Sequence, residues 1–213
     1  MKEDFDIYVY KMVADNGGAP CVWRGRLSLA LCKPKIRKSA EIGALVFGFG
    51  GKDYGERLIY VAKITSKPNT GEYYCKREFT RRPDCIYRQI GGTVRRKARA
   101  RYHSQSDERE RDVGLRFEKA HVLLCDDFRY FGNQGTADYK QEFAAIKALI
   151  ESLTRGHRVN HSPKLRQELL ALKRQLWRKI RRMKNGEPTD SDRTRLCNAD
   201  SPSACIGSGK RIR

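Results

Sequence analysis

Apolar residues recur with a period of two in a series of short segments, and no long helical pattern lies between them. Such alternation sends successive side chains to opposite faces of a strand, so a chain of this kind must bury at least one face of a sheet. Phe5 to Val13 reads as the first strand, closed by the turn signal Asp15-Asn16-Gly17-Gly18. Leu27 to Leu31 reads as a short strand or helical turn, and Ala44 to Phe49 as a strand running into Gly50-Gly51. Leu58 to Thr65 and Lys119 to Cys125 are two further strands. Together they predict an α+β fold, a small mixed and mainly antiparallel β-barrel or curled sheet with packed helices.

The helical period begins only after these strands. Between Ala137 and Leu153, the residues Tyr139, Phe143, Ile146, Ile150 and Leu153 form one apolar stripe that should pack on the sheet. Ser162 can cap a second helix with Pro163 at its first position; Leu165, Leu169, Leu172, Leu176, Ile180 and Met183 make its stripe, and Asn185-Gly186 with Pro188 stop it. The expected organisation is a domain over residues 1–161, a basic amphipathic helix over 162–186 and a disordered polar tail over 187–213. On that division, removing residues 162–213 should leave the sheet domain folded.

Charge decides which partners suit this chain. Its 213 residues hold 45 Lys+Arg against 25 Asp+Glu, a net charge of +20, which favours polyanions. Between Thr154 and Gly186 there are eleven basic residues and one acid, Glu168. Arg174, Arg178, Arg181 and Arg182 on that helix are expected to contact a polyanion, the alternative being a solvated helix docked by its stripe alone. A second basic run, Arg81-Arg82 and Arg95 to Arg101, lies around Gly91-Gly92 and reads as a long mobile loop. The longest apolar run, near Ile59 to Ile64, falls far short of the roughly 20 residues that cross a bilayer. The start of the chain does not read as a secretion signal, and a cytoplasmic location is expected. Seven cysteines occur without any Cys-x-x-Cys. Cys75 and Cys85 with His103 or His121 lack the paired spacing of a zinc site, so no metal or cofactor is expected. Cys32 and Cys125 read as small core residues.

Three constellations can carry chemistry. Lys33, Lys35 and Arg37 surround Pro34 in Cys32-Lys33-Pro34-Lys35-Ile36-Arg37-Lys38-Ser39, and either grip phosphate or form a solvated basic turn. Phe49, Gly50 and Tyr54, followed by Arg57, either let a flat base approach and stack or form a plain turn between strands. In Asp126-Asp127-Phe128-Arg129-Tyr130-Phe131-Gly132 the paired acids can serve as acid and base or hold a metal, with Phe128 and Tyr130 stacking beside them, or the block can simply cap and cover a sheet edge. His103 follows the arginine-rich stretch and can be brought over such a site, but no partner at fixed spacing marks a hydrolase triad.

Gly17-Gly18-Ala19-Pro20, the block Leu29 to Ala40, Gly48 and Gly50, Arg57-Leu58-Ile59-Tyr60, Glu72-Tyr73-Tyr74, Ile86-Tyr87, His103-Ser104 and Leu124 to Gly132 resemble, in order, the nucleotide-modification-associated domain family, second of its numbered types. The resemblance spans roughly residues 5 to 160, and its specific parts are Cys-Lys-Pro-Lys-Ile-Arg and Asp-Asp-Phe-x-Tyr-Phe-Gly. It implies a PUA-like fold, similar to EVE and ASCH domains, which hold a modified base in a pocket. The chain departs from the family's Gly-Asp turn by having Gly43-Ala44. The implied function is binding of nucleic acid or nucleotides carrying a modified base, DNA rather than RNA, in a bacterial or phage modification or defence system. Two rivals stand beside it: an enzyme of base or nucleotide modification using Asp126 or Asp127 and His103, and an effector acting on RNA. Placed at one mouth, Lys33, Lys35, Arg37 and Arg57 would face a nucleotide together with Phe49, Tyr54, Phe128 and Tyr130.

Overall fold

The computed structural model describes residues 5–103, 106–154 and 156–190. In chain order the elements are β1 (Ile7–Met12), β2 (Cys21–Trp23), β3 (Arg26–Leu29), α1 (Pro34–Ser39), β4 (Leu45–Gly50), β5 (Leu58–Lys63), α2 (Glu72–Cys75), β6 (Tyr87–Ile90), β7 (Thr93–Arg96), α3 (Ser106–Asp112), β8 (Leu123–Cys125), β9 (Asp127–Tyr130), α4 (Tyr139–Glu142), α5 (Ala144–Ser152), β10 (His157–Arg158) and α6 (Pro163–Lys179). A five-stranded sheet runs β10-β1-β4-β5-β9, with only β1 and β4 parallel. A three-stranded sheet, β2-β3-β8, joins it through the step from β8 to β9 and a bridge between Ser66 and Leu124.

Alternation along β1 explains the layers. Tyr8, Tyr10 and Met12 point into a core shared with Leu27, Leu29 and Phe128. Ile7 and Val9 point the other way, onto Phe47, Ile146, Ile150, Leu165 and Leu169. Both faces are thus covered, one by the second sheet and one by α5 and α6. Gly48 is required here, because a Cβ on it would lie 2.2 Å from the Tyr60 ring.

The fold class agrees with the α+β expectation, and the barrel is corrected: among the described residues the sheet stays open, ending at β10 and β9. The free edge of β9 is taken by the chain after α6, with Tyr130 N donating to Met183 O at 2.7 Å and Asn185 N to Tyr130 O at 2.8 Å. Covering an edge in this way satisfies its backbone groups without another strand. It also ends α6 at Lys179, short of the stop read at Gly186. Glu187 to Asp190 continue against the domain, Asp190 N donating to Asp15 O at 2.8 Å; the rest of the expected disordered tail lies outside the described residues.

Two further readings change. The stretch read as a mobile loop contains the hairpin β6–β7, whose turn is Gly91-Gly92 with φ of +54° and +77°; two consecutive residues with positive φ suit a tight hairpin, and glycine adopts them without strain. The helix expected from Ala137 to Leu153 breaks at Phe143, because Glu168 on α6 reaches across and accepts from Ala145 N at 2.8 Å and Ile146 N at 3.1 Å. A carboxylate from another helix thus caps α5. The α6 start follows the reading: Ser162 caps it, accepting from Leu165 N at 3.3 Å, with Pro163 next. Ser162→Ala should cost about 1 kcal/mol, read as a lowered denaturation midpoint. None of the described helices is long and apolar enough to cross a membrane.

Candidate functional site

The turn from β3 into α1 carries the densest polar network. Cys32, Lys33 and His103 are three of the six described non-glycine residues with positive φ, at 54°, 44° and 52°. The side chain of Arg37 is fully buried. Its Nε donates to Cys32 O at 2.6 Å, Nη1 to His121 O at 2.7 Å, and Nη2 to Asp112 Oδ1 at 3.0 Å. The Cys32 backbone N–H donates to the same Oδ1 at 2.9 Å. His103 Nδ1 lies 2.5 Å from Asp112 Oδ2, while its Nε2 lies 3.3 Å from Cys32 Sγ. Sequence reasoning singled out His103 but missed Cys32 and Asp112 as its neighbours. Their only sequence signal is a cysteine placed between a strand and a Pro-started helix.

A second network surrounds Asp15. Tyr130 Oη donates to its two carboxylate oxygens at 2.8 and 3.0 Å, and Thr189 donates through N at 3.1 Å and Oγ1 at 3.2 Å. Tyr54 Oη donates to Asp190 at 2.5 Å and Arg57 Nη2 to Thr189 at 2.8 Å. Next to it is a cleft of about 210 Å³ lined by Asn16, Arg101, Tyr102, Tyr130, Lys184 and Pro188 among others. The Tyr102 ring sits against Gly18, where a Cβ would lie 2.9 Å from it.

Burial holds the Asp15 carboxyl above the usual carboxylate range despite these donors. A value raised by folding means that this group's contribution to stability is complete below the ordinary carboxylate pKa and is lost as pH rises through the raised value. The melting temperature of Asp15→Asn should therefore lack that part of the decline, and an unchanged profile would remove Asp15 as its source.

The other expected site residues scatter. Tyr54, Arg57 and Tyr130 meet around Asp15, Thr189 and Asp190. Lys33 Nζ sits 5.0 Å over the ring of Tyr10, whose Oη is 2.9 Å from that of Tyr60. Lys35 is exposed. Phe49 packs on Tyr139 on the helix side, Phe128 between the sheets, and both are fully buried. Gly50 serves the close approach of Tyr54, whose Cβ would lie 2.5 Å from an added one. Asp126 is exposed and pairs with Arg26 at 2.6 Å; Asp127 accepts from Trp177 Nε1 at 2.6 Å. The two acids are adjacent in sequence yet serve different partners, Asp126 at the step between β8 and β9 and Asp127 at the start of β9.

Cations concentrate elsewhere. In the β6–β7 hairpin Arg88 stands directly opposite Arg95, both exposed. Arg96 Nε donates to Tyr102 O at 2.9 Å and Nη2 to Ala100 O at 2.5 Å, which ties the segment holding exposed Arg99 and Arg101 to the hairpin. Arg174, Arg178, Arg181 and Arg182 are exposed on and after α6. Among the described residues, no group of three or more His, Cys, Asp and Glu side chains is arranged to hold a metal ion.

A family model described as nucleotide modification associated domain 2 matches residues 4–195, which takes in α6 and the segment covering β9. No curated protein and no solved structure matches the chain.

Proposed function

This chain belongs to the nucleotide modification associated domain 2 family, and from that premise we propose that it binds nucleic acid carrying a modified base, DNA rather than RNA. The observation that carries this reading is the pair Arg88 and Arg95. Like charges directly across a hairpin destabilise it, so their pairing makes sense where a polyanion neutralises both. Arg99 and Arg101 extend the cationic surface to the cleft beside Tyr102. The phosphate backbone lies across the hairpin, and the cleft takes a nucleotide drawn out of the stack, a PUA-like mode of recognition. The arginines of α6 add sequence-independent affinity. The protein would act in the cytoplasm, in a modification or defence system.

The test is salt-dependent binding to plain and base-modified duplexes, followed by fluorescence anisotropy. Each phosphate contact contributes a slope of about 0.9 in log K against log salt. Arg88→Gln with Arg95→Gln should flatten the slope by roughly twice that and weaken both duplexes equally. A slope unchanged by the pair would take the hairpin out of the interface.

A further inference from the structure

We propose that Cys32, His103 and Asp112 form a nucleophilic centre for acyl transfer, in which Cys32 carries the acyl group as a thioester. The proposal does not depend on the nucleic-acid reading above. Its parts come from three separate places in the chain, and their geometry assigns each a role.

Asp112 Oδ1 is occupied by Arg37 and the Cys32 backbone N–H. Among the described residues Oδ2 makes no hydrogen bond, and it lies 2.5 Å from His103 Nδ1, at ion-pair distance. A carboxylate oxygen this close to a bare ring nitrogen would set two lone pairs against each other, so we place the imidazole proton on Nδ1, which leaves the lone pair of Nε2 facing Cys32 Sγ at 3.3 Å. Tyr87 Oη also approaches Nδ1, but at 3.4 Å. A thiol beside a base that is itself oriented by a third group is the arrangement that activates a nucleophile. Arg37 is a positioning residue: it grips Cys32 O and Asp112 together and keeps the buried carboxylate compensated.

The backbone points the same way. Cys32 and Lys33 both take left-handed φ between β3 and α1, and His103 does so as well. Strained backbone of this kind persists only where the surroundings enforce it, and a tight strand-to-helix turn is where hydrolases place a nucleophile. Pinning α3 to the turn takes Arg37 and Asp112 with His103 beside the second carboxylate oxygen, and leaves the thiol at Nε2 without a structural task.

The chemistry balances without an added oxidant or reductant. Nε2 takes the Sγ proton as sulfur attacks the carbonyl carbon of an ester or amide. The C–S bond forms, the bond to the leaving oxygen or nitrogen breaks, and the proton passes from Nε2 to the leaving atom. Water then attacks the thioester, His103 takes its proton and returns it to sulfur, and a carboxylic acid departs. The substrate class assigned is acyl compounds, whose carbonyl carbon a thiolate attacks to give a thioester.

p-Nitrophenyl acetate tests this without any nucleotide. The full chain should release a rapid burst of p-nitrophenolate equivalent to the protein, and peptide mass mapping should find the acetyl group on Cys32. Cys32→Ala should abolish the burst, and His103→Gln should slow acylation about a hundredfold, with denaturation midpoints confirming that both variants fold. Should His103→Gln not fold, the wild-type protein still decides: Cys32, only 9% exposed, must be acetylated at least tenfold faster than exposed Cys75. Acetyl found on Cys75 ahead of Cys32, or a Cys32 rate indifferent to His103→Gln, would overturn the proposal. The burst is measured with no nucleic acid present, so a failure of duplex binding stays distinguishable from a failure here.

Discussion

Arg37→Met should lower stability by about 3–5 kcal/mol, although the residue sits in a run of cations that looks like a solvated turn. Its guanidinium is fully buried against Asp112 at 3.0 Å, and its other donors satisfy carbonyls of Cys32, His121 and Asp112. Methionine fills much of the volume but leaves the Asp112 carboxylate buried without its cation. Removing one partner of such a pair costs far more than the pair's net worth, because the remaining charge keeps its desolvation penalty. For a chain of this length the loss corresponds to a fall in melting temperature of about 2–4 °C per kcal/mol. Lys35→Gln, at an exposed position on the same helix, should stay within about 0.5 kcal/mol. Equal effects at the two positions, measured by urea denaturation, would mean that Arg37 is not the buried hub described here.

Deleting residues 162–213 should abolish cooperative unfolding altogether. Leu165, Leu169 and Leu172 of α6 lie in the same core as Ile7, Val9, Phe47, Ile146 and Ile150. Burying each leucine is worth roughly 1.5–3 kcal/mol, so three approach the 5–15 kcal/mol that holds a typical domain together. The deletion also strips Glu168 from the start of α5, Trp177 from Asp127, and the backbone donors and acceptors from the edge of β9. The truncation expected from the sequence to spare the domain therefore strips α6 from one face of its main sheet and leaves α5 alone on it. Leu169→Ala is the milder form of the same test and should cost about 2–5 kcal/mol. A truncated chain that melts cooperatively near the full-length temperature would show that α6 is an appendage.

The strands were legible wherever alternation survived. β1, β4 and β5 fall within a residue or two of the segments marked by period-two patterning. β9 was hidden inside the Asp126 to Gly132 block, because its acids and aromatics looked like chemistry when they form a strand pairing with β5. The hairpin β6–β7 was hidden by its arginines: Tyr87 and Val94 are its buried residues, too few for a pattern, and its flanking charges mimic a solvated loop. Among the candidate residues, Phe49 and Phe128 were chosen as aromatics near strand ends, but an aromatic on a strand points to whichever face its register dictates. Here those faces are opposite.

The amino-acid sequence by itself determined what depends on neighbours in the chain: the α+β class, the strands with clean alternation, the Ser162-Pro163 start of α6 and the excess of positive charge. Those signals are local, set by backbone geometry and by the spacing of apolar side chains. Tertiary structure alone decided which cation is buried, where α6 stops and what His103 touches. Cys32 meets His103 across 71 positions and Asp112 across 80. No periodicity records such a meeting, because it is fixed by the packing of β3, α1 and α3 around one carboxylate, and the energy of a buried charge depends on partners that a local pattern does not contain.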